Sequence, residues 1–250
     1  MSPDARPRIV ATIEARMTST RLPGKVLLPV AGKPLLRHLI ERLQRVNSLD
    51  EIVVATTINK ADEAIVKLAA ELGVGCFRGS EEDVLGRVLG AAKSYRADII
   101  VEITGDCPAI DPDVIGRCIA EYFSTGADFV SNTLQPAYPW GMDTKVFSTR
   151  VLEEVDRLTQ DPADREHVSL YIYEHPERYR LHNVSAPPEL TWPQMHVELD
   201  TPEDYELFKA IFEALYPQNP AFTLYDMIKF LKDHSDIAGI NAPIQRKGTR

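Results

Sequence analysis

The sequence predicts an α/β protein, in which helices cover both faces of an open, mostly parallel sheet. Short apolar runs and amphipathic stretches follow one another in the order β-α-β-α-β-α-β-α-β over residues 8–130, an alternation typical of parallel sheets. The chain has 250 residues, of which 44% are hydrophobic and 26% are charged. This length fits one domain with a sizeable core, and the composition excludes collagen-like, disulfide-scaffold and disordered classes.

The first half of the chain supplies this alternation. The apolar run at 8–13 is typical of a buried strand. Pro34 precedes a helix over 35–43, whose leucines and isoleucine recur at helical spacing, and Gly73 ends the second helix. Further strands are predicted at 51–56, 74–77, 98–103 and 128–130, and further helices at 61–72, 81–95 and 112–123.

After Ser131 the alternation stops. Residues 132–142 contain Pro136, Pro139 and Gly141, which favour a loop. Strands are predicted at 143–147, 179–184 and 194–199, and helices at 150–158, 164–174, 202–215 and 224–234. The last dozen residues are polar and are predicted to be loose.

Charge is unevenly distributed along the chain. Residues 1–45 contain nine Lys or Arg and three Asp or Glu, a net charge of +6, whereas the whole chain carries −9. A basic segment in an acidic protein predicts a small, localised anionic ligand and argues against general nucleic-acid binding. Within this segment, Arg37, Arg42 and Arg45 are predicted to lie on the solvated face of the first helix.

The bulk features indicate a cytoplasmic protein without membrane association. No apolar run approaches the roughly 20 residues that are needed to cross a bilayer, and residues 1–6 lack the apolar stretch of a secretion signal. Cys76, Cys107 and Cys118 are an odd number of cysteines without CxxC spacing. We expect reduced thiols, neither a disulfide framework nor a zinc site.

A basic segment follows the first predicted strand. Ligands bind at the carboxyl ends of strands in an open parallel sheet, so residues 14–33, 78–80 and 104–108 are candidate site segments. In the first of them, Arg16 and Arg21 can each bind phosphate oxygens with a forked guanidinium, and Lys25 adds a point charge. A solvated basic loop with a Pro-Gly turn is the alternative interpretation.

Two common phosphate-binding patterns are absent from this segment. The Walker pattern GxxxxGK[ST] does not match, because Ser19 occupies the position of its first glycine and Val26 the position of its final Ser or Thr. No GxGxxG pattern occurs after the first strand either. Neither an ordinary ATPase nor an NAD enzyme is therefore indicated.

The segment 104–108 contains one candidate for a magnesium site, Asp106. Mg²⁺ prefers one or two carboxylates together with substrate phosphate oxygens, and Asp106 follows the fourth predicted strand. Because Asp111 before Pro112 is the better helix cap, Asp106 is left for another role. A later acidic segment lies at 197–204. Helix capping alone, by Asp200 or Thr201, would explain the residues of this segment.

Six motifs together resemble one enzyme family. They are ARMTSTRLPGKVLL at 15–28, GKP at 32–34, RGS at 78–80 with DVL at 83–85 and Arg87, TGDCP at 104–108, DREHV at 164–168 and LDTPED at 199–204. From residue 9 to about residue 241, the chain resembles the cytidylyltransferases that make CMP-activated acidic sugars. It is most like the branch called spore coat polysaccharide biosynthesis protein F. The 3-deoxy-manno-octulosonate and acylneuraminate cytidylyltransferases are more distant.

The resemblance implies a Rossmann-like sheet of the nucleotide-diphospho-sugar transferase type (GT-A-like). It implies one nucleotidyltransferase domain over 1–250, within which 132–185 form a small inserted α+β lobe for acceptor binding and dimerisation. The implied reaction transfers CMP from CTP to an acidic or cell-surface sugar, releases pyrophosphate and uses Mg²⁺. The implied assembly is a homodimer.

The resemblance also assigns roles to residues. It implies nucleotide binding by Ala15, Arg16, Met17, Ser19, Arg21, Lys25, Arg78, Ser80, Arg87 and Asp106. It implies catalytic roles for Arg21, Lys25, Asp106 and Asp200, with Asp106 and Asp200 holding the metal. It implies acceptor binding by Asp143, Arg165, Glu166 and His167.

Several alternatives stay open at this point. Thr18 stands where the family usually has glycine, and Glu14 where it often has glutamine or proline. His167 is the candidate general base, with a structural role as the alternative. The other functions considered are cytidylyl transfer to a phosphonate or phosphate acceptor, and nucleotide binding without turnover. Four aromatic residues of the lobe are candidates either for stacking on a ligand or for packing within the lobe: Tyr138, Trp140, Tyr171 and Tyr173.

Overall fold

The structure, a computed structural model, describes residues 6–244 and is organised around a seven-stranded sheet. The strands are β1 (Ile9–Glu14), β2 (Pro29–Val30), β3 (Lys33–Pro34), β4 (Glu51–Thr57), β5 (Gly75–Gly79), β6 (Ile99–Thr104), β7 (Phe129–Ser131), β8 (Lys145–Ser148) and β9 (Leu181–Asn183). The sheet order is β5-β4-β1-β6-β8-β7-β9, and β2 pairs with β3 in a separate hairpin. Within the sheet β8 runs antiparallel to both its neighbours, and the other pairings are parallel.

Helices cover both faces of the sheet, as predicted. They are α1 (Leu35–Leu43), α2 (Glu63–Glu71), α3 (Val84–Ser94), α4 (Pro112–Thr125), α5 (Thr149–Leu158), α6 (Pro162–Glu166), α7 (Leu170–Glu174), α8 (Pro202–Leu215), α9 (Leu224–Asp233) and α10 (Ser235–Ala238). On one face of the sheet, the β1 residues Ile9, Ala11 and Ile13 belong to a buried cluster with α1, α2 and α4. On the other face, Val10 belongs to a second buried cluster with α3, α5 and α7. Burial on both faces explains why β1 is a continuous apolar run.

The prediction of one helix over 164–174 was wrong, because two short helices occupy this segment. Helix α6 ends at Glu166 and α7 begins at Leu170. Between them Val168 has a positive φ of 45°, which a continuous right-handed helix does not allow. The buried side chain of Val168 packs into the core beneath α3 and α5.

The prediction of a strand over 194–199 was also wrong, because this segment forms a single bridge, between Trp140 and His196. The Val197 amide donates to the Trp140 carbonyl oxygen at 2.9 Å. The next residue, Gly141, has φ +94°, and a Cβ there would lie 2.1 Å from the Val197 carbonyl oxygen. The segment is extended, but its neighbour is a bent loop and offers no continuous ladder.

The predicted solvated position of Arg42 was wrong as well. Its side chain is buried, with the guanidinium carbon 4.1 Å from the Phe222 ring centroid. It donates to the carbonyl oxygen of Phe222 at 3.1 Å, and burial lowers its pKa to about 10. The C-terminal segment folds over α1, a contact that the local pattern of α1 does not predict.

The segment 132–185 contributes β8 and β9 to the central sheet, and its role in dimerisation stays a prediction.

Cys107 and Cys118 are buried and Cys76 is half-buried, all three as free thiols. Within residues 6–244, no helix has the length and apolar character that a membrane crossing requires. The predictions for residues 1–5 and 245–250 lie outside the described residues.

Candidate active site

The loop of residues 15–24 connects β1 to a short 3-10 turn that begins at Lys25. Two hydrogen bonds fold it back on itself and onto Asp62, which lies in a 3-10 turn shortly after β4. The Gly24 amide donates to the Met17 carbonyl oxygen at 2.9 Å, and the Met17 amide donates to Asp62 Oδ1 at 2.8 Å. Asp62 is fully buried and also accepts from the amide of Thr57 at 3.1 Å. Sequence reasoning missed Asp62, because an acid beside a helix start is ordinary.

Asp106 is positioned by a close contact between two strand ends. The Gly105 amide donates to the Glu14 carbonyl oxygen at 2.9 Å, and a Cβ at Gly105 would lie 2.7 Å from that oxygen. A glycine is therefore required where the chain leaves β6. Asp111 caps α4 by accepting from the Asp113 amide at 2.8 Å, as predicted, so Asp106 has no capping role.

Asp200 reaches the same place from the far end of the chain. The Leu199 amide donates to the Asp106 carbonyl oxygen at 2.8 Å, which brings the following residue beside Asp106. Thr201, not Asp200, caps α8, in a capping box with Asp204. The Asp200 carboxylate is thereby available to face the loop of residues 15–24.

The four residues predicted to be catalytic meet at one point. Lys25 Nζ lies 3.1 Å from Asp106 Oδ2 and 2.7 Å from Asp200 Oδ1, and Arg21 Nη2 lies 2.8 Å from Asp200 Oδ2. The Lys25 side chain is only 12% exposed, so solvent screens this contact weakly. The structure therefore joins segments that are 175 residues apart in sequence.

The pKa shifts agree with a charged network at neutral pH. Burial by itself would lower the pKa of Lys25, but Asp106 and Asp200 more than offset it and the pKa is raised. Burial by itself would raise the pKa of Asp106, but Lys25 and a hydrogen bond from Thr104 lower it. The ammonium and the Asp106 carboxylate thus hold each other in the ionised form.

The carboxylates of Asp106 and Asp200 fit a divalent cation that is shared with a ligand. Among residues 6–244, no group of three or more His, Cys, Asp or Glu could hold a metal ion by protein ligands alone. Mg²⁺ commonly binds one or two carboxylates and completes its shell with water and phosphate oxygens. The donor set therefore suits Mg²⁺ with a bound phosphate ester.

Glu81 holds the other side of the loop, and sequence reasoning missed it. Thr18 donates its hydroxyl hydrogen bond to Glu81, and Arg16 Nη1 lies 3.5 Å from Glu81 Oε1. Asn59 Nδ2 donates to Glu81 Oε2 at 2.5 Å. The Thr18 and Asn59 hydrogen bonds lower the pKa of Glu81. The Thr18 side chain thus has a defined partner.

Arg78 and Arg87 bind the ends of neighbouring strands. Arg78 donates to the carbonyl oxygens of Thr57 and Asn59, both at 2.9 Å. The buried Arg87 donates to the Ala55 carbonyl oxygen at 3.2 Å and to that of Ser80. Nucleotide binding by these residues stays a prediction, as it does for Ala15, Met17, Ser19 and Ser80.

The four predicted acceptor residues are not equivalent in the structure. Asp143 is close enough to Glu198, Lys145 and Asp106 for each to shift its pKa, which burial and then Glu198 raise to about 7. Glu166 is exposed and His167 half-buried, both near the α6–α7 junction. Their acceptor roles, and the role of His167 as a base, stay predictions.

Arg165 joins two helices. It donates to both carboxylate oxygens of Asp83, at 2.8 and 2.6 Å, and to Asp156 Oδ1 at 2.8 Å. Asp83 is also the N-cap of α3, accepting from the Gly86 amide. The guanidinium therefore connects the start of α3 to α5.

Replacing Arg165 with Lys is expected to lower the free energy of unfolding by about 1–2 kcal/mol, because an ammonium cannot make the forked pairing. Urea unfolding measures this loss. The exposed Arg178→Lys variant, which disturbs a single ion pair with Glu154, is the control. A change in acceptor KM with unchanged stability would instead assign Arg165 to acceptor binding.

Glu14 provides a pH test of the site's interior. Burial and then Glu102 raise the pKa of Glu14 well above 4.5. A raised carboxyl pKa contributes stability at low pH that is lost as pH rises from the unfolded value through the folded value. The Glu14→Gln variant is therefore expected to melt higher than the wild type at about pH 9, with the difference vanishing toward about pH 4.

Thermal unfolding across this pH range measures the difference between the variant and the wild type. A stability gain of 1 kcal/mol raises Tm by about 2–4 °C in a chain of this size. The exposed Glu213→Gln variant is the control. A pH-independent difference would contradict the raised pKa of Glu14.

A basic loop after the first strand of an α/β sheet, whose lysine faces two carboxylates, suits an enzyme that binds a phosphate ester together with a divalent cation. The chain belongs to the cytidylyltransferase family, since the sequence model of that family matches residues 10–233. It is thus a cytidylyltransferase, and the resemblance inferred from the sequence motifs is confirmed.

Individual relatives agree with this assignment. The spore coat polysaccharide biosynthesis protein SpsF of Bacillus subtilis is 33% identical over 92% of this chain and 96% of its own. A cytidylyltransferase structure from Leptospira borgpetersenii has a TM-score of 0.89 at 31% identity, covering 97% of this chain and 100% of its own. A CMP:2-keto-3-deoxy-manno-octonic acid synthetase complexed with CTP shares the fold, with a TM-score of 0.62 at 21% identity over 83% of this chain and 99% of its own.

Proposed function

We propose that the enzyme transfers CMP from CTP to a sugar-type acceptor, releases pyrophosphate and uses Mg²⁺. The contact of Lys25 with both Asp106 and Asp200 carries this proposal, because it places a cation and two carboxylates at one point. The CTP complex of the structural relative supports the nucleotide. The name of the Bacillus relative, which refers to polysaccharide biosynthesis, supports the sugar.

The loop cations would bind the triphosphate. Arg21 and Lys25, now paired with carboxylates, would exchange these partners for phosphate oxygens, as would Arg16. Asp106 and Asp200 would hold Mg²⁺, which supplies neutralisation of phosphate charge when bound. The acceptor oxygen would bond to the α-phosphorus as the bond to pyrophosphate breaks, and the acceptor proton would pass to solvent water. Such a transfer depends mainly on positioning and charge neutralisation.

A pyrophosphate-release screen tests the proposal. Each of the four nucleoside triphosphates is combined with a panel of sugar, sugar-acid and phosphonate acceptors, with Mg²⁺ present or removed by chelation. We expect turnover with CTP, a sugar-type acceptor and Mg²⁺. Turnover with another triphosphate alone would refute the cytidine assignment, and full activity after chelation would refute the metal.

The same screen covers the two alternatives. Turnover with the phosphonate acceptors alone would favour the phosphonate alternative, and CTP binding without any turnover would favour a non-catalytic homologue. A cytoplasmic location and a homodimer formed through residues 132–185 belong to the proposal. Sedimentation of the purified protein tests the dimer.

A further inference from the structure

A fully buried carboxylate, that of Asp62, lies behind the loop of residues 15–24. Asp62 stands at the N-cap position of α2, where an acidic side chain ordinarily accepts from the amides of the helix itself. Its side chain makes no such capping bond to α2. The carboxylate instead binds the end of β4 and the loop, so helix capping does not explain its position.

The two oxygens of this carboxylate have different partners. Oδ2 accepts from the amide of Thr57 at 3.1 Å and from the hydroxyl groups of Thr56 and Thr57, at 3.0 and 2.5 Å. These two residues are the last of β4. Oδ1 accepts from the Met17 amide at 2.8 Å. One oxygen thus binds the strand end, and the other binds the loop.

Met17 connects this carboxylate to both halves of the loop. Its carbonyl oxygen accepts from the Gly24 amide at 2.9 Å, so both of its main-chain polar groups are hydrogen-bonded. Arg16 directly precedes Met17, and Lys25 directly follows Gly24. Two of the cations proposed to bind triphosphate are therefore adjacent in sequence to groups that are held, through Met17, by a buried carboxylate.

The second contact that holds the loop is partly exposed to solvent. It is formed by Thr18 and Arg16 with Glu81, and the side chains of Arg16 and Glu81 are 39% and 28% exposed. Water and salt screen such an ion pair, which therefore contributes little to stability. The buried contact with Asp62 is thus the stronger restraint on the loop before a nucleotide binds.

We propose that Asp62 is a positioning residue, which holds the loop of residues 15–24 in its triphosphate-binding form through the Met17 amide. This inference rests on the proposed CMP transfer and adds a residue that acts through Met17, not on the reacting atoms. A loop that is already fixed does not have to be ordered when the nucleotide binds, so the apparent affinity is higher. Once bound, the triphosphate itself holds the loop. Asp62 should therefore affect nucleotide binding far more than the rate at saturation.

The Asp62→Asn variant of the full-length enzyme tests this inference. A carboxamide has one acceptor oxygen, which we expect to stay with the three donors from β4, so that the NH2 group faces the Met17 amide. Calorimetric titration with CTP and Mg²⁺ should show a loss of affinity of about tenfold or more. With the acceptor that the pyrophosphate-release screen identifies, KM for CTP should rise equally and kcat should change by less than about threefold. Unchanged CTP affinity in the folded variant would overturn the inference.

Thr56→Val is the matched control. It removes one hydroxyl group that donates to Oδ2 of Asp62, keeps nearly the same shape and leaves the Met17 contact in place. We expect this variant to melt at a lower temperature than the wild type and to bind CTP with unchanged affinity. A merely structural role of Asp62 would give Asp62→Asn the same behaviour. Equal losses of CTP affinity in the two variants would contradict a role that acts through Met17.

Hydrogen exchange of the Met17 amide provides a measurement that does not depend on turnover. In the nucleotide-free wild type, this amide should exchange at least about 100-fold more slowly than the amide of the exposed residue Thr20. Asp62→Asn should remove most of this protection. Should that variant not fold, the wild type still decides: exchange of Met17 as fast as that of Thr20 would refute the inference.

Parallel titrations with the other nucleoside triphosphates separate this inference from the proposed function. If the wild type binds another triphosphate in place of CTP and Asp62→Asn weakens that binding, the cytidine assignment fails and the positioning role stands. If the wild type and Asp62→Asn bind CTP equally well, the positioning role fails and the proposed function stands. An absence of triphosphate binding by the wild type would contradict both.

Discussion

Replacing Asp106 with Asn is expected to lower CTP-dependent pyrophosphate release by about 10³-fold or more. The carboxylate accepts from Lys25 at 3.1 Å and is one of the two groups proposed to hold Mg²⁺. A carboxamide is isosteric but carries no charge, so it neither balances the ammonium nor attracts a divalent cation. Initial rates measured across a Mg²⁺ titration give the loss.

The Asp113→Asn variant is the matched control, because Asp113 is an exposed carboxylate on the neighbouring helix α4. It should retain wild-type rates. Thermal unfolding of both variants separates loss of chemistry from loss of fold. Full activity of Asp106→Asn at ordinary Mg²⁺ concentrations would refute the assignment of Asp106 to the metal.

Replacing Lys25 with Met is expected to reduce kcat/KM for CTP by about 10³-fold and, at the same time, to strengthen Mg²⁺ binding to the nucleotide-free enzyme by about tenfold. The two effects have opposite signs for one reason. Lys25 binds triphosphate in the proposed complex, but without nucleotide it neutralises Asp106 and Asp200. Its removal leaves the carboxylates facing each other, which also raises the pKa of Asp106.

Kinetics and calorimetric Mg²⁺ titration of the same variant measure the two effects. We also expect a loss of about 1–3 kcal/mol in the free energy of unfolding, because a partly buried ion pair loses one partner. The exposed Lys67→Met variant on α2 is the control. Weaker Mg²⁺ binding in Lys25→Met would show that Lys25 does not compete with the metal.

Much of the fold could be predicted from the sequence because the relevant signals are local. The apolar run of β1, the start of α1 after Pro34 and the cap at Asp111 are each specified within a few residues. The antiparallel insertion of β8 between β6 and β7 was not predicted, since strand order depends on contacts between distant segments. The break at Val168 was missed because the positive φ there is imposed by packing.

For the site, the sequence by itself determined that Arg16, Arg21 and Lys25 follow the first strand, β1, and that Asp106 follows the fourth predicted strand, β6. Because a parallel sheet brings such strand ends together, these residues were expected to share one site. Only the tertiary structure decided that Thr201 caps α8 and that Asp200 thereby faces Lys25. It alone showed that Arg165 is held by Asp83 and Asp156. Capping and ion pairing between distant residues depend on three-dimensional proximity, which no local pattern encodes.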